Sequence, residues 1–200
     1  MNAVEIPGLV FDDQNHRYAY NGVVLPSVTQ IMEPLKNQEY GNIPEYILET
    51  AARRGTNVHQ AIEIWLNYGY QDIPEEYQGR FDAFLDWQEY AMPHVIGTEQ
   101  ILVHPTLFYC GTADLICDIN DRKVLVDYKT TSTVSDMLVR VQLQAYESAL
   151  KEHGIVVDEK RIIQLRDDGY KEYIYPANDT EAWRVFLSLK AIHDYIKKYK

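Results

Sequence analysis

Residues 111–129 read GTADLICDINDRKVLVDYK. The two apolar runs in this stretch, residues 112–119 and 123–129, are typical of strands buried in a sheet. Asn120 and Asp121 separate the runs and could form a two-residue hairpin turn. The stretch therefore predicts two neighbouring antiparallel strands.

The register of this hairpin decides which side chains meet. With a two-residue turn, Ile119 faces Arg122, and Asp114 then faces Asp127. Directly opposed residues have Cβ atoms about 4.5–5.5 Å apart, so these carboxylates repel each other unless a proton or a cation lies between them. Oxygen-rich sites of this kind suit Mg²⁺ or Mn²⁺. A turn longer by one residue would shift the register, so this metal site depends on the turn.

Lys129 follows Asp127 by two residues, so both side chains point to the same face of the strand. A lysine beside metal-binding carboxylates can orient or deprotonate a water, or stabilise charge that develops on a phosphoryl group. The backbone carbonyl of Tyr128 lies between them in the chain and is a further candidate oxygen ligand. In isolation, an Asp and a Lys at this spacing more often form a solvated strand face.

The spacing of apolar residues predicts the elements around this hairpin. We expect helices over about 45–69, 75–91, 135–153 and 179–198, and further strands over 99–108, 160–166 and 170–175. The first of these helices is expected to break near Gly55, and residues 37–44 are expected to form a loop. This order predicts a mixed α/β fold, in which helices flank a central sheet.

The N-terminal part of the chain has its own signals. Apolar and aromatic residues alternate within residues 9–25, and Asn21 with Gly22 is a strong hairpin turn signal. Ser27 is a candidate N-cap for a short helix that ends before Pro34. We therefore expect short strands followed by a short helix.

Two predicted helices carry polar residues that could reach the sheet. His59 lies one residue past the apolar seam of its helix, where an imidazole could complete a metal shell. Gln142 and Tyr146 are four residues apart and share one helix face, and both can donate hydrogen bonds to a phosphate. Taken singly, a histidine on a helix is more often structural than a ligand.

Composition limits the classes of protein that remain. The chain has 200 residues, which suits one domain, and its net charge is −11. That charge argues against a protein that coats nucleic acid, but a nuclease can use a local basic patch and bound cations. Two cysteines cannot form a disulfide framework. The sequence shows no membrane span and no secretion signal, which predicts a cytoplasmic protein.

Several catalytic and nucleotide-binding motifs are missing from the sequence. Its six histidines contain no HxxxH pair, which argues against a zinc enzyme. GxxxxGK[ST] and GxGxxG are absent, so nothing supports binding of ATP or a dinucleotide. GxSxG is also absent, so nothing supports a serine hydrolase.

Four motifs follow one another in the chain: RGTNVHQAIE (54–63), GTADLI (111–116), VDYKTT (126–131) and QLQAY (142–146). This succession resembles the PD-(D/E)XK nuclease superfamily, in its RecB-like and phage exonuclease branch. The segment HRYAYNGVVLPSVTQIM (16–32) also resembles the start of phage-encoded members. The resemblance implies a restriction-endonuclease-like core. It leads us to expect one domain over residues 1–200, with a hairpin and helix extension over about residues 1–44.

The resemblance also implies roles for individual residues. It makes Lys129 the catalytic lysine and Asp114 and Asp127 the acidic metal ligands, and it gives His59 a place in the metal shell. Gln142 and Tyr146 match a Q-x-x-x-Y signature behind the active site. Arg54 and Thr130 flank matched motifs and are candidates for phosphate contacts. Glu99 stands where some relatives carry an acid before the core hairpin, and it is a further candidate site residue.

These roles predict a Mg²⁺- or Mn²⁺-dependent DNA nuclease, with an exonuclease favoured over an endonuclease. Phage-like relatives work with a single-strand annealing protein, so DNA, such a protein and further copies of the chain are the expected partners. Members with an iron–sulfur cluster use four cysteines, and two cysteines predict that this chain has no cluster. Two alternatives stay open: a non-catalytic nucleic-acid-binding module with this fold, and a structure-specific or restriction-type endonuclease.

Overall fold

Helices and strands follow one another along the chain nearly as the apolar spacing predicts. The computed structural model describes residues 4–12, 15 and 17–199, so His16, at the start of one matched segment, lies outside it. The elements are β1 (Leu9–Asp12), β2 (Arg17–Tyr20), β3 (Val23–Leu25), α1 (Val28–Ile31), α2 (Glu33–Tyr40), α3 (Glu45–Tyr68), α4 (Gln78–Ala91), β4 (His94–His104), β5 (Tyr109–Ile119), β6 (Arg122–Lys129), α5 (Asp136–Glu152), β7 (Glu159–Arg166), β8 (Gly169–Pro176) and α6 (Thr180–Lys198). A 3₁₀ turn, Glu75–Tyr77, precedes α4. Within the described ranges, no helix has the length and apolar character of a transmembrane segment.

The centre of the protein is a five-stranded mixed sheet with strand order β4-β5-β6-β7-β8. The β6–β7 pair is parallel and the other neighbouring pairs are antiparallel. Ile116 and Leu125 pack on one side of the sheet with residues of α5 and α6. Leu115 and Val126 pack on the other side with residues of α3 and α4. The predicted mixed α/β fold, with helices flanking a central sheet, is confirmed.

The hairpin of β5 and β6 has the predicted two-residue turn. Asn120 and Asp121 have φ of 51° and 60°, which is the left-handed backbone that a tight hairpin of this type requires. The pairing runs from Ile119 opposite Arg122 to Leu115 opposite Val126. The turn and the register of this pair are confirmed over that length.

A second sheet, with strand order β1-β2-β3, precedes the central sheet in the chain. The predicted turn at Asn21 and Gly22 joins β2 to β3. Tyr18 and Leu25 from this sheet pack against Val103 and Cys110 of the central sheet. The Ser27 side chain accepts a hydrogen bond from the backbone N–H of Gln30 and caps α1, as predicted.

Three local predictions are wrong. The strand expected over 99–108 is displaced, because β4 begins at His94 and residues 105–108 form the turn to β5.

Residues 37–44 are not all loop, because α2 continues to Tyr40. Pro34 lies in the first turn of α2, where its missing N–H removes no intrahelical hydrogen bond, so it marks the start of a second helix. The predicted break near Gly55 is also absent. α3 is continuous through this glycine and ends at Gly69, whose φ of 72° suits a helix terminus.

Candidate metal centre

His59 bridges α3 to the two central strands. Its Nδ1 atom lies 3.4 Å from Oδ2 of Asp114 on β5. Its Nε2 atom lies 3.0 Å from the backbone carbonyl oxygen of Tyr128 on β6. The apolar seam of α3, buried through Val58, Ala61 and Ile62, presses this side of the helix against the sheet. The imidazole is therefore held by its neighbours on either side.

Asp114 connects β5 to β6 where their paired ladder ends. Its Oδ2 atom accepts the backbone N–H of Tyr128 at 2.7 Å, one step beyond the Leu115–Val126 pair. Burial raises the pKa of Asp114, but the charge of His59 and the Tyr128 hydrogen bond help to bring that pKa below its usual range. Asp114 is thus a buried carboxylate that remains ionised.

Glu99 completes a group of three possible metal ligands. The neighbouring pairs, Thr98 with Leu115 and Gln100 with Ala113, place Glu99 opposite Asp114. One ligand atom from each of His59, Glu99 and Asp114 lies within 4.8 Å of the others, and we call these three residues the His59 cluster. Burial, with the Asp114 charge next in importance, raises the pKa of Glu99 to about 8. Crowding of acids in this way is relieved by a bound cation.

Glu99 also has an unusual backbone conformation. Its φ is 44° although it lies within β4. Non-glycine residues in the left-handed region are uncommon and cost of order 1–3 kcal/mol when the surroundings enforce them. Such strain is concentrated at functional sites, so the conformation of Glu99 is a second reason to place it in the site.

The protonation of His59 follows from the acids around it. Burial lowers the pKa of His59, but the carboxylates of Asp114, Glu99 and Asp127 outweigh burial and raise that pKa to about 9. In the metal-free protein the imidazole is therefore a cation at neutral pH. Its positive charge partly neutralises the surrounding carboxylates, as a bound divalent metal would.

Asp127 and Lys129 form the second half of the site. Lys129 Nζ lies 2.6 Å from Asp127 Oδ2 and donates a hydrogen bond to Oε1 of Gln142 at 3.1 Å. The Nε2 amide of Gln142 then donates to the hydroxyl of Tyr146 at 3.1 Å. These four residues, which we call the lysine chain, connect β6 to α5.

The charges of the lysine chain are set by burial and by one another. Burial raises the pKa of Asp127 to about 6, even though the ammonium of Lys129 acts in the opposite direction. Burial lowers the pKa of Lys129, but Asp127 and Asp114 together raise it above its ordinary value. Lys129 is therefore an ammonium at neutral pH. In this state it can donate hydrogen bonds and stabilise negative charge, but it cannot accept a proton.

One atom of the lysine chain, Oδ2 of Asp127, is suited to bind a cation. Asp127 Oδ2 is buried and has no hydrogen bond of good geometry among the described residues, although Lys129 Nζ is close to it. A buried carboxylate oxygen without a well-aligned hydrogen bond is costly, and carboxylate oxygens are preferred ligands of Mg²⁺ and Mn²⁺. Together with the His59 cluster, this donor set fits a divalent metal.

The structure thus brings most of the candidate residues together, in two adjoining groups. His59 and Asp114 meet in one group, which also contains Glu99. Asp127 lies outside that group and pairs with Lys129, yet its charge still raises the pKa values of His59 and Glu99. The Tyr128 carbonyl, a candidate metal ligand, contacts His59. Arg54 and Thr130 meet at the edge of the site, where Arg54 Nε donates to Thr130 Oγ1 at 3.4 Å.

Sequence reasoning missed the part played by Gly111. A Cβ atom at this position would lie 2.5 Å from Cε1 of Tyr146 and 3.4 Å from a methyl group of Val28. The absence of a side chain therefore lets the Tyr146 ring lie directly against β5. A glycine inside a strand is itself a signal of close approach by another group, and Gly111 opens the GTADLI motif.

No protein-family model and no curated protein matches the chain. Among solved structures it resembles the crystal structure of SSO0001, with 12% identity, a TM-score of 0.37 and coverage of 81% of this chain and 84% of that one. An alkaline exonuclease, LHK-Exo from Laribacter hongkongensis, gives 14% identity and a TM-score of 0.37, with coverage of 72% of this chain and 84% of that one. The structure of LHK-Exo in complex with dAMP gives 15% identity and a TM-score of 0.38, with coverage of 88% of this chain and 92% of that one. At these values the likeness does not assign a family.

Proposed function

We propose that this protein is a divalent-metal-dependent nuclease of the PD-(D/E)XK superfamily that hydrolyses phosphodiester bonds in DNA. The juxtaposition of Lys129 and Asp127, beside the His59 cluster, carries the proposal. A lysine ammonium next to several buried carboxylates and an imidazole combines a metal-binding donor set with a cation that can neutralise a phosphate. Each lowers the barrier to phosphodiester hydrolysis, the metal by activating water and the cation by neutralising developing charge.

The metal would be held by carboxylate oxygens of Asp114, Asp127 and Glu99, with His59 and the Tyr128 carbonyl as further donors. Bound there, Mg²⁺ or Mn²⁺ would polarise the phosphoryl group and lower the pKa of the attacking water. His59 must release its proton before its nitrogen can act as a ligand. The mixed imidazole and carboxylate set suits Mn²⁺ as well as Mg²⁺.

Lys129 would supply the positive charge that stabilises the transition state. An ammonium has three N–H donors, and its contacts with Asp127 and Gln142 account for two of them. The third can point at a phosphate oxygen or at the attacking water. Gln142, held in turn by Tyr146, fixes the direction of these donors. A preorganised cation of this kind lowers the barrier because it needs no reorganisation during the reaction.

We infer an exonuclease rather than an endonuclease because the four ordered motifs resemble the phage exonuclease branch. In that role the protein would resect DNA ends for an annealing partner during recombination. The cytoplasmic location, the annealing protein and the assembly of several copies stay predictions from the sequence. A non-catalytic binding module is the alternative that the following experiment separates.

The test is digestion of end-labelled linear duplex, single-stranded and closed circular DNA with Mg²⁺, Mn²⁺ or EDTA. Asp114→Asn should abolish metal-dependent hydrolysis. Asp118→Asn is the matched control, because Asp118 lies on the same strand but pairs with Lys123 outside the site. Loss of linear DNA with circles intact is the expected result. Cutting of circles would make the protein an endonuclease, and binding without hydrolysis under every condition would reject the nuclease.

A further inference from the structure

A cleft of about 370 Å³ opens beside the candidate metal centre, where β6 leads into α5. Thr130 lines the cleft and directly follows Lys129 in the chain. The lining residues come from the start of α4, the segment after β6 and the turn between β7 and β8, namely Arg80, Thr130, Thr131, Ser132, Arg166, Asp167 and Asp168. We call this the arginine cleft.

Three arginines come together at this cleft in a protein whose net charge is −11, although two aspartates also line it. Arg80 and Arg166 line it, and Arg54 reaches its edge through the Thr130 hydroxyl. Burial lowers the pKa of Arg54, and the nearby charge of Arg80 lowers it further. The charges of Arg54 and Arg80 thus act on each other, and Asp167, which pairs with Arg80, offsets part of this repulsion. A bound anion would offset it further.

Arg80 has unused hydrogen-bonding capacity. Its Nε atom is buried and has no hydrogen-bond partner among the described residues. The side chain as a whole is 16% exposed, and Arg80 lines the cleft. A buried donor without a partner is costly. A ligand with several acceptor oxygens would satisfy it.

Two carboxylates now occupy the positions that such oxygens would take. Arg80 pairs with Asp167, and Arg166 Nε lies 3.1 Å from Asp168 Oδ1. Asp167 and Asp168 are 63% and 74% exposed in the turn between β7 and β8. Exposed ion pairs contribute only about 0–1 kcal/mol. A phosphate could therefore replace Asp168, whose pair with Arg166 is the more exposed of the two, at little cost.

The walls of the cleft are fixed by close packing. A Cβ atom at Gly79 would lie 3.1 Å from both Cα and the carbonyl oxygen of Asp167, so α4 rests directly on the turn. Gln164 donates to the backbone carbonyls of Thr131 and Ser132 at 2.8 and 2.9 Å. The cleft is thus held in shape before any ligand binds.

We propose that the arginine cleft binds an internal phosphodiester of the DNA strand whose scissile phosphate lies at Lys129. This inference rests on the proposed function and adds to it the path of the strand. Arg80 and Arg166 hold the phosphate oxygens, and the hydroxyls of the segment after β6 are further donors. Asp167 and Asp168 compete with the DNA for the same guanidinium groups. The cleft thereby lets an acidic protein hold a polyanion.

Binding of a short fluorescent single-stranded DNA in EDTA tests the cleft without hydrolysis. Arg80→Gln and Arg166→Gln should each weaken binding about tenfold. Each should also make the slope of log K against log salt concentration shallower by about one. Asp168→Asn should strengthen binding, because it removes a competing carboxylate. Arg184→Gln is the matched control, since Arg184 is exposed on α6 and does not line the cleft. Unchanged affinity in both cleft variants would overturn the proposal.

A second measurement locates the bound phosphate. DNA with one neutral methylphosphonate linkage at successive positions should bind wild type more weakly at the scissile linkage and at one internal linkage, and Arg80→Gln should lose only the internal effect. Equal weakening at every position would also overturn the proposal. Melting temperatures and Arg80→Lys, which keeps the charge and should bind better than Arg80→Gln, separate lost contacts from misfolding.

Hydrolysis in Mg²⁺ keeps this proposal distinct from the proposed function. Hydrolysis with unaltered DNA affinity in Arg80→Gln and Arg166→Gln would retain the nuclease and reject the cleft. Cleft-dependent binding without hydrolysis would retain the cleft and reject the nuclease.

Discussion

Gly111 lies directly against the ring of Tyr146, so close that a Cβ atom there would be 2.5 Å from Cε1 of the tyrosine. The Tyr146 hydroxyl accepts a hydrogen bond from Gln142, and Gln142 in turn accepts one from Lys129. The position of the lysine thus depends on a missing side chain on the neighbouring strand. Packing and catalysis are linked at this contact.

Gly111→Ala should therefore damage both stability and activity. The added methyl group must push Tyr146 away from β5, and overpacking of this kind costs about 1–3 kcal/mol. We expect a lower free energy of unfolding in urea and a lower turnover on DNA, because Gln142 and Lys129 move with the tyrosine. Gly111→Ala combined with Tyr146→Leu should recover stability without recovering activity. Wild-type turnover in the single variant would show that Lys129 is positioned independently of Tyr146.

Gly55→Ala should have the opposite effect on stability. Gly55 lies inside the continuous helix α3, and a Cβ atom there would meet only Thr130 Oγ1, at an ordinary 3.7 Å. Alanine in a helix interior is favoured over glycine by about 0.5–1 kcal/mol. Urea unfolding should show a gain of that size. A loss of stability would mean that α3 bends at Gly55, as the sequence alone suggested.

Lys129→Ala should reduce turnover by about 10²-fold or more while the fold is kept, because it removes a preorganised charge from the transition state. Single-turnover hydrolysis of linear DNA at saturating protein measures this effect without a contribution from binding. Lys123→Ala is the matched control on the same strand, since Lys123 pairs with Asp118 away from the site. Turnover close to wild type in Lys129→Ala would contradict the assigned role.

The sequence predicts the hairpin geometry better than it predicts the composition of the site. A side-chain period of two suffices to place Asp127 beside Lys129, as found at 2.6 Å, and the two-residue turn sets the register of β5 on β6. The position of Glu99 opposite Asp114 depends on a register shift near Val95 in β4 and on a left-handed backbone that glutamate rarely adopts. Neither feature has a local sequence signal. The assignment of site residues and of a single domain stays a prediction.

The contacts that form the arginine cleft illustrate the same limit. Arg80 and Arg166 are far apart in the chain and line one cleft because the turn between β7 and β8 packs onto α4 at Gly79. Hydrophobic periodicity locates each element separately, but it does not specify how a turn and a helix end approach each other. Such contacts follow from packing across the whole sheet.

Glu99→Gln should weaken metal binding and stabilise the metal-free protein. Burial and the Asp114 charge disfavour the ionised form of Glu99, whose pKa is raised to about 8, so at neutral pH the chain must take up a proton there on folding. A neutral isostere removes that cost. We expect a higher melting temperature in EDTA and a smaller rise when Mn²⁺ is added. Glu89→Gln, on the exposed side of α4, is the matched control. An unchanged response to Mn²⁺ would exclude Glu99 from the metal site.

Asp179 gives the protein an acid-sensitive connection between α5 and α6. Its carboxylate accepts hydrogen bonds from Arg140 at 2.7 and 3.0 Å and from the backbone N–H of Ala182, where it caps α6.

The Arg140 guanidinium is the main cause that lowers the pKa of Asp179. A carboxylate with a lowered pKa in the folded state contributes stability that is full above its unfolded pKa of about 4 and is lost as pH falls below it. Asp179→Asn should therefore destabilise the protein at neutral pH, by about 0.5–2 kcal/mol, and the difference from wild type should shrink as the pH is lowered toward 3. Urea unfolding of both proteins across that range measures the difference. A pH-independent difference would mean that Asp179 acts through its shape as a cap and not through its charge.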